Sequence, residues 1–318
     1  MLAGMRLRGW LIFLLILIIG GAALVWAANG NGSSDRSQLT GIKVAKDLAD
    51  RPVLGIVIEN SEQARPQTGL GAAGIVFETV AEGGITRYLA LYQENMPTVV
   101  GPVRSLRPYF VDWALGFDAS VAHVGGSPEA LAMADRLDLK NLDQFKHSGP
   151  YYRDPARDAP HNVYARTADL RDLQQRLGYG KSNFDTIPRK NDAPSQNPTA
   201  PNITINFSGA QFVAEFRYQS SSNTYQRYLA GELHVDKATN QPITVKNVVV
   251  MKMSGNDILA IGNGDAFVFL DGQVIQAHWQ QSDHNSRVQI VDNNDKEIPL
   301  NRGSTWFAVV PKSGSVSY

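Results

Sequence analysis

The chain contains no cysteine among its 318 residues. That excludes disulfide bridges, a thiolate nucleophile, a zinc–thiolate site and lipid attachment through a cysteine. Nor is there an excess of either charge, since 30 Lys+Arg balance 30 Asp+Glu. A strongly basic nucleic-acid-binding surface and an acidic tail are both ruled out. Charged residues make up 19% of the chain and hydrophobic ones 43%. This is too apolar for a disordered protein, and the length suits about two domains.

Charge is also missing locally. Residues 9–28 carry none, and 11–19 (LIFLLILII) are wholly apolar. Twenty residues at ~1.5 Å each span ~30 Å, the depth of a bilayer core. Arg6 and Arg8 precede the run, and the next charge is Asp35. The asymmetry predicts a single-pass anchor at 9–28, with a cytoplasmic tail at 1–8 and the remainder outside the cell. Trp10 and Trp26 fall near the two interfaces. The alternative is a signal peptide cleaved after a small-x-small site at 25–27, which would make the protein secreted.

Residues 29–50 begin with a polar stretch (NGNGSSDRSQ) and are expected to form a flexible tether. A second break spans 181–202, where Pro188, Pro194, Pro198 and Pro201 forbid a continuous element. Between the breaks, residues 51–180 mix apolar strand runs at 53–59, 74–80, 85–92, 98–103 and 119–124 with helical patterns at 108–116, 127–137 and 167–177. The expected fold is α/β or α+β. Residues 203–318 read as about eight short strands with an Asp271-Gly272 hairpin turn, which predicts a mostly antiparallel β-sandwich or barrel.

The unusual polar residues of the first domain cluster at strand ends. They are Arg65 and Gln67, Glu82 and Arg87 around a turn, Arg104 and Arg107, the Gly125-Gly126-Ser127 turn at a helix start, and His161-Asn162 in a proline-containing loop. Ligands of α/β sheets bind beyond strand carboxyl ends, adjacent glycines allow close backbone approach, and arginine forks suit carboxylate or phosphate. Together these residues form a candidate anion-binding set. The structural alternative is that the arginines only pair with Glu78 or Glu82 or brace the next helix. The Gly-Gly-Ser turn lacks the spacing of a phosphate loop. His123, His161 and Glu82 are the acid–base candidates, although His123 lies in an apolar strand that suits a core histidine. No HExxH or close His–His spacing is present, so neither a metal nor a cofactor is expected. In the second domain, His278-Trp279 at a strand end could line a carbohydrate or peptide groove; cross-strand packing is the plainer reading.

Several stretches resemble one family. RPVLGIVIEN, ARPQTGL, IVFETVAEGGITRYLALY, GPVRSLRPYF, AHVGGSPEA and DAPHNVYA, followed by NVVVMKM, AFVFLDGQVIQAHWQ and IPLNRGSTWFAVVP, are similar to the YerB-like family of bacterial lipoproteins. The resemblance runs from about Arg51 to the end. It implies an envelope-facing bacterial protein with paired domains, held at the membrane, and no established activity. The family's recurrent polar positions fall here on Arg65, Gln67, Glu82, Arg87, Arg104, Arg107, His123, Ser127, His161 and Asn162. One departure matters: lipoproteins need a cysteine after the signal, and this chain has none.

Two functions follow from these readings. The first is an extracytoplasmic module that binds an anionic envelope ligand, such as a peptidoglycan fragment, or an envelope protein. The alternative is a cell-envelope hydrolase or transferase using His123, His161 and Glu82.

Overall fold

The structure is a computed structural model that describes residues 34–318. The expected tail and membrane anchor lie outside the described residues. Among the described residues, no helix is long and apolar enough to cross a membrane.

A mixed ten-stranded sheet forms the centre of the molecule. The first half supplies Leu54–Glu59, Ile75–Val80, Thr86–Tyr92, Ser120–His123 and Asn141–Asp143. The second half supplies Asn247–Lys252, Gly262–Leu270, Gln273–Gln281, Gln289–Val291 and Thr305–Val310. The halves join where Thr305–Val310 pairs in parallel with Ile75–Val80, placing Phe307 opposite Phe77. The first half thus mixes strands with helices, as expected, within a fold that is mostly β. The second half, expected as a separate sandwich or barrel, is instead divided. Five of its strands extend this sheet, and Asn202–Asn206, Val213–Gln219 and Thr224–Leu229 anchor a six-stranded antiparallel sheet of their own.

Both faces of the middle strands of this sheet are buried, which explains why those strands are near-continuously apolar. Alternation sends Ile75, Phe77, Leu89, Leu91, Phe307 and Val309 to one face. There they meet Phe110 and Trp113 of the helix Pro108–Leu115. Phe77 is stacked between Trp113 at 4.8 Å and Phe307 at 4.7 Å. The other face sends Val76, Tyr88, Ala90, Trp306 and Ala308 against Ile203, Phe216 and Tyr225 of the six-stranded sheet. Local signals set the helix starts. Pro108 needs no N–H donor at a first helical position, and the Ser127 hydroxyl accepts the Ala130 N–H at 3.2 Å to cap Pro128–Arg136.

Both expected flexible stretches are tied down where they are described; residues 29–33 lie outside the described residues. Within 29–50, Ser34–Arg36 pairs with Lys43–Ala45, Leu39 is fully buried, and the Ser37 hydroxyl reaches Gln93 and Glu94. Arg189 donates to the Leu39 carbonyl and binds this hairpin to the second half. Within 181–202, Arg189–Lys190 pairs in parallel with Leu300–Asn301, and Asp271 takes Lys190 and the Ala193 N–H. The prolines do prevent a long element. They do not keep the segment off the surface, because polar groups of the second half receive its backbone.

Candidate functional site

At one end of the central sheet, alternation sorts the polar side chains into two groups on opposite faces. Glu59 pairs in register with Arg87, and both follow the helix-covered side. Asn60, Thr86 and Glu78 follow the other side, toward the six-stranded sheet.

The second group is a closed hydrogen-bonded ring buried between the halves. Arg227 donates to Glu78 at 2.8 and 3.0 Å, and also to Nδ1 of His234. His234 Nε2 meets Oε1 of Gln67 at 2.7 Å, the Gln67 amide donates to Asn60 at 2.9 Å, and Asn60 donates to Thr86 at 2.6 Å. The Thr86 hydroxyl returns to Glu78 at 3.1 Å, and the Trp306 indole N–H adds a bond to Glu78 at 3.0 Å. The direction of donation fixes the histidine: Nδ1 accepts, so Nε2 carries the hydrogen. Burial, followed by the Arg227 and Arg65 charges, pushes the His234 pKa well below its usual value and keeps the ring neutral. No member is more than 5% exposed. Gln67, expected at a ligand site, is therefore an internal brace. Arg65 is another: it donates to Asn60 and to the Gln211 carbonyl, and it lies over the Phe212 ring.

The helix-side group is nearer the surface. Arg87 and Arg107 both pair with Glu82, whose carboxyl they hold down to about 2, the Arg107 hydrogen bond being the larger cause. Arg87 is nearly buried. Burial first, then the charges of Arg107 and Arg104, lowers its pKa, while Glu82 opposes them. Arg87 thus has the guanidinium groups of both Arg107 and Arg104 for neighbours.

Arg104 differs from the other two. Its Nε lies 3.3 Å from the buried Glu59 carboxylate, and among the described residues its side chain makes no hydrogen bond to protein. The same Glu59 oxygen accepts the Ser61 hydroxyl at 3.0 Å and lies 2.9 Å from His161 Nδ1. Because a carboxylate only accepts, His161 Nδ1 carries a hydrogen, which is shared with Ser61 Oγ at 3.1 Å. His161 Nε2 has no protein partner among the described residues. This is not a serine-hydrolase triad. Ser61 and Glu59 meet the same ring nitrogen, whereas a triad places nucleophile and acid on opposite ones.

The remaining expected residues have structural roles. His123 is fully buried, with Nδ1 against the Gly125 carbonyl at 2.8 Å and Nε2 against Asn141 at 3.0 Å; burial lowers its pKa. It does not join His161 and Glu82. The Gly125-Gly126-Ser127 turn is not a free anion cradle. Gly125 N–H is bonded to Asp143 at 2.9 Å, Ser127 N–H to the Leu106 carbonyl, and the Ser127 hydroxyl caps its helix. Asn162 is buried, accepts from Arg153 and donates to the Arg157 carbonyl. Trp279 is buried with its N–H on the Lys252 carbonyl, so His278-Trp279 forms no aromatic groove. Sequence reasoning named Glu59 only as one of the polar strand ends, with no partner, and did not place Ser61 in the site. The available signal was a lone acid closing the apolar run 53–58, followed at once by Asn-Ser.

The comparisons with known proteins agree with this architecture. Residues 39–180 match the N-terminal domain, and residues 203–307 the C-terminal domain, of a protein family of unknown function, DUF3048. The protein described as "Putative lipoprotein YerB" of Bacillus subtilis (strain 168) is 31% identical over 296 residues, covering 89% of this chain and 88% of its own length. The crystal structure of the YerB protein from Bacillus subtilis matches with a TM-score of 0.80 at 29% identity, over 89% of this chain and 100% of that one. The chain belongs to the YerB-like family, with its paired N- and C-terminal domains.

Proposed function

We propose that this protein is an extracytoplasmic component of the bacterial envelope, and that it binds an anionic ligand at the Arg104–His161 face of the central sheet. Arg104 carries the reading. Glu59 holds one edge of its guanidinium, while among the described residues its other nitrogens have no partner and are available as a forked donor. Arg87 and Arg107 add positive charge beside it, and Glu82 balances part of that charge. The lipoprotein description of the relative supports an envelope setting. Without a cysteine, the apolar run at 9–28 would take the place of a lipid as the attachment. A carboxylate-bearing cell-wall fragment, such as a muramyl peptide, fits the donor set. Thermal shift of the full chain tests the reading. A ligand at ~100 times its Kd adds ~2.7 kcal/mol of stability, and Arg104→Ala should abolish the gain. A gain that survives Arg104→Ala refutes the site.

One geometric observation favours a second reading, acid–base chemistry on envelope material. Glu59 orients His161 through Nδ1, leaving Nε2 to exchange a proton. The separation of His123 from His161 weighs against the wider catalytic set, so binding is preferred. Turnover of isolated cell wall by the full chain, lost in His161→Ala, would reverse that preference.

A further inference from the structure

A second concentration of unmatched positive charge lies at the opposite end of the Leu54–Glu59 strand. Six residues at ~3.3 Å each put it about 20 Å from Glu59. Arg51 and Arg171 line a cleft of about 460 Å³ there. Arg171, on the helix Thr167–Arg176, donates to the Pro52 carbonyl, to Gln174 at 3.1 Å and to the Gln93 carbonyl at 3.2 Å. All three acceptors are neutral, so the position of this guanidinium is fixed, and no carboxylate among the described residues pairs with it. Among the described residues, the Arg51 side chain makes neither an ion pair nor a hydrogen bond, and no carboxylate lines the cleft. Burial, and after it the Arg51 charge, lowers the Arg171 pKa to about 10, so Arg171 stays cationic at neutral pH. Like charges converging in a partly buried cleft repel, and an anion placed between them would relieve that repulsion. The other walls are partly apolar, with Pro52, Met96, Pro97 and Ala168. They suit an uncharged body attached to the anionic group.

We propose that the Arg51–Arg171 cleft binds a small organic anion: a carboxylate or phosphate carried on an uncharged, partly apolar body. The site is independent of the Arg104 face.

Thermal shift and calorimetric titration of the full chain with benzoate, phenyl phosphate and neutral benzyl alcohol test it. Benzoate or phenyl phosphate should raise the melting temperature, and benzyl alcohol should not. Arg51→Ala should weaken anion binding about tenfold, the loss expected for one charge-assisted contact. Arg51→Gln, which keeps a polar side chain but removes the charge, should do the same. Arg104→Ala should leave this binding unchanged. The proposal is overturned if neither anion binds, if benzyl alcohol binds equally well, or if both Arg51 variants bind like the parent. Binding that is lost in Arg104→Ala and kept in Arg51→Ala would also overturn it, and would leave the strand-end reading standing.

Discussion

Glu78 and Arg227 lie 149 residues apart in sequence and form a two-pronged ion pair at 2.8 and 3.0 Å, with neither side chain exposed. One belongs to the N-terminal domain of the family and the other to the C-terminal domain. Trp306 stacks on the guanidinium at 4.5 Å and also donates to the carboxylate. The two halves thus share a buried charge pair as well as a sheet.

Breaking that pair from one side strands a buried charge. Glu78→Ala or Arg227→Ala should each cost about 3–5 kcal/mol. The double variant Glu78→Met with Arg227→Met should cost clearly less than the sum of the singles, because no ion is left unpaired. Urea unfolding measures all three. Single-variant losses below about 1 kcal/mol would show that the ring does not hold the halves together.

Stability should fall as the solution turns acidic. His234 and His123 both have folded-state pKa values depressed by burial. The unfolded chain therefore binds more protons than the fold once pH drops below the ordinary histidine value, ~6.5. Their contribution is present above that value and is lost below it, at up to ~1.4 kcal/mol per pH unit for each ring that stays neutral in the fold. Denaturant titrations from pH 7 to pH 5 should show this slope, and His123→Asn should reduce it. A flat profile would mean that both rings accept protons in place.

Arg104 and Arg87 should separate function from stability. Arg104→Ala removes a side chain with no hydrogen bond among the described residues, and Glu59 keeps Ser61 and His161 as partners, so it is expected to cost no more than about 1 kcal/mol of stability while abolishing binding of the muramyl peptide. Arg87→Ala removes a nearly buried side chain bonded to the Ser105 carbonyl and Glu82, and should cost more. Equal stability losses for the two variants would contradict the distinction.

Gly116 tests the packing between halves without touching a charge. It has ordinary helical backbone angles, but an added Cβ would lie 2.7 Å from Arg287 Cα and 2.8 Å from the Ser286 carbonyl. Both neighbours are backbone and cannot swing aside, so Gly116→Ala should cost about 1–3 kcal/mol by overpacking. An unchanged urea midpoint would mean that this contact between the halves is loose.

Much of the local structure was legible along the chain. The expected helices at 108–116, 127–137 and 167–177 correspond to Pro108–Leu115, Pro128–Arg136 and Thr167–Arg176. Proline starts, a serine cap and apolar spacing are local signals, and the strand runs at 53–59 and 85–92 are equally local. The site was only partly visible. Grouping Arg87, Arg104, Arg107 and Glu82 needed only their shared position at strand ends. The pairing of His161 with Glu59, 102 residues away, could not be read from spacing.

The sequence by itself determined the exclusion of cysteine chemistry, the apolar N-terminal run, the neutral charge balance and most strands and helices, because composition, periodicity and capping act over a few residues. The tertiary structure decided which strands became neighbours. Parallel pairing of Thr305–Val310 with Ile75–Val80 merges two apparent domains into one sheet, and side-chain alternation then turns Glu78 toward Arg227 and Glu59 toward His161 and Arg104. Strand register is a long-range choice, fixed by burial on both faces, and no stretch of sequence read alone contains it.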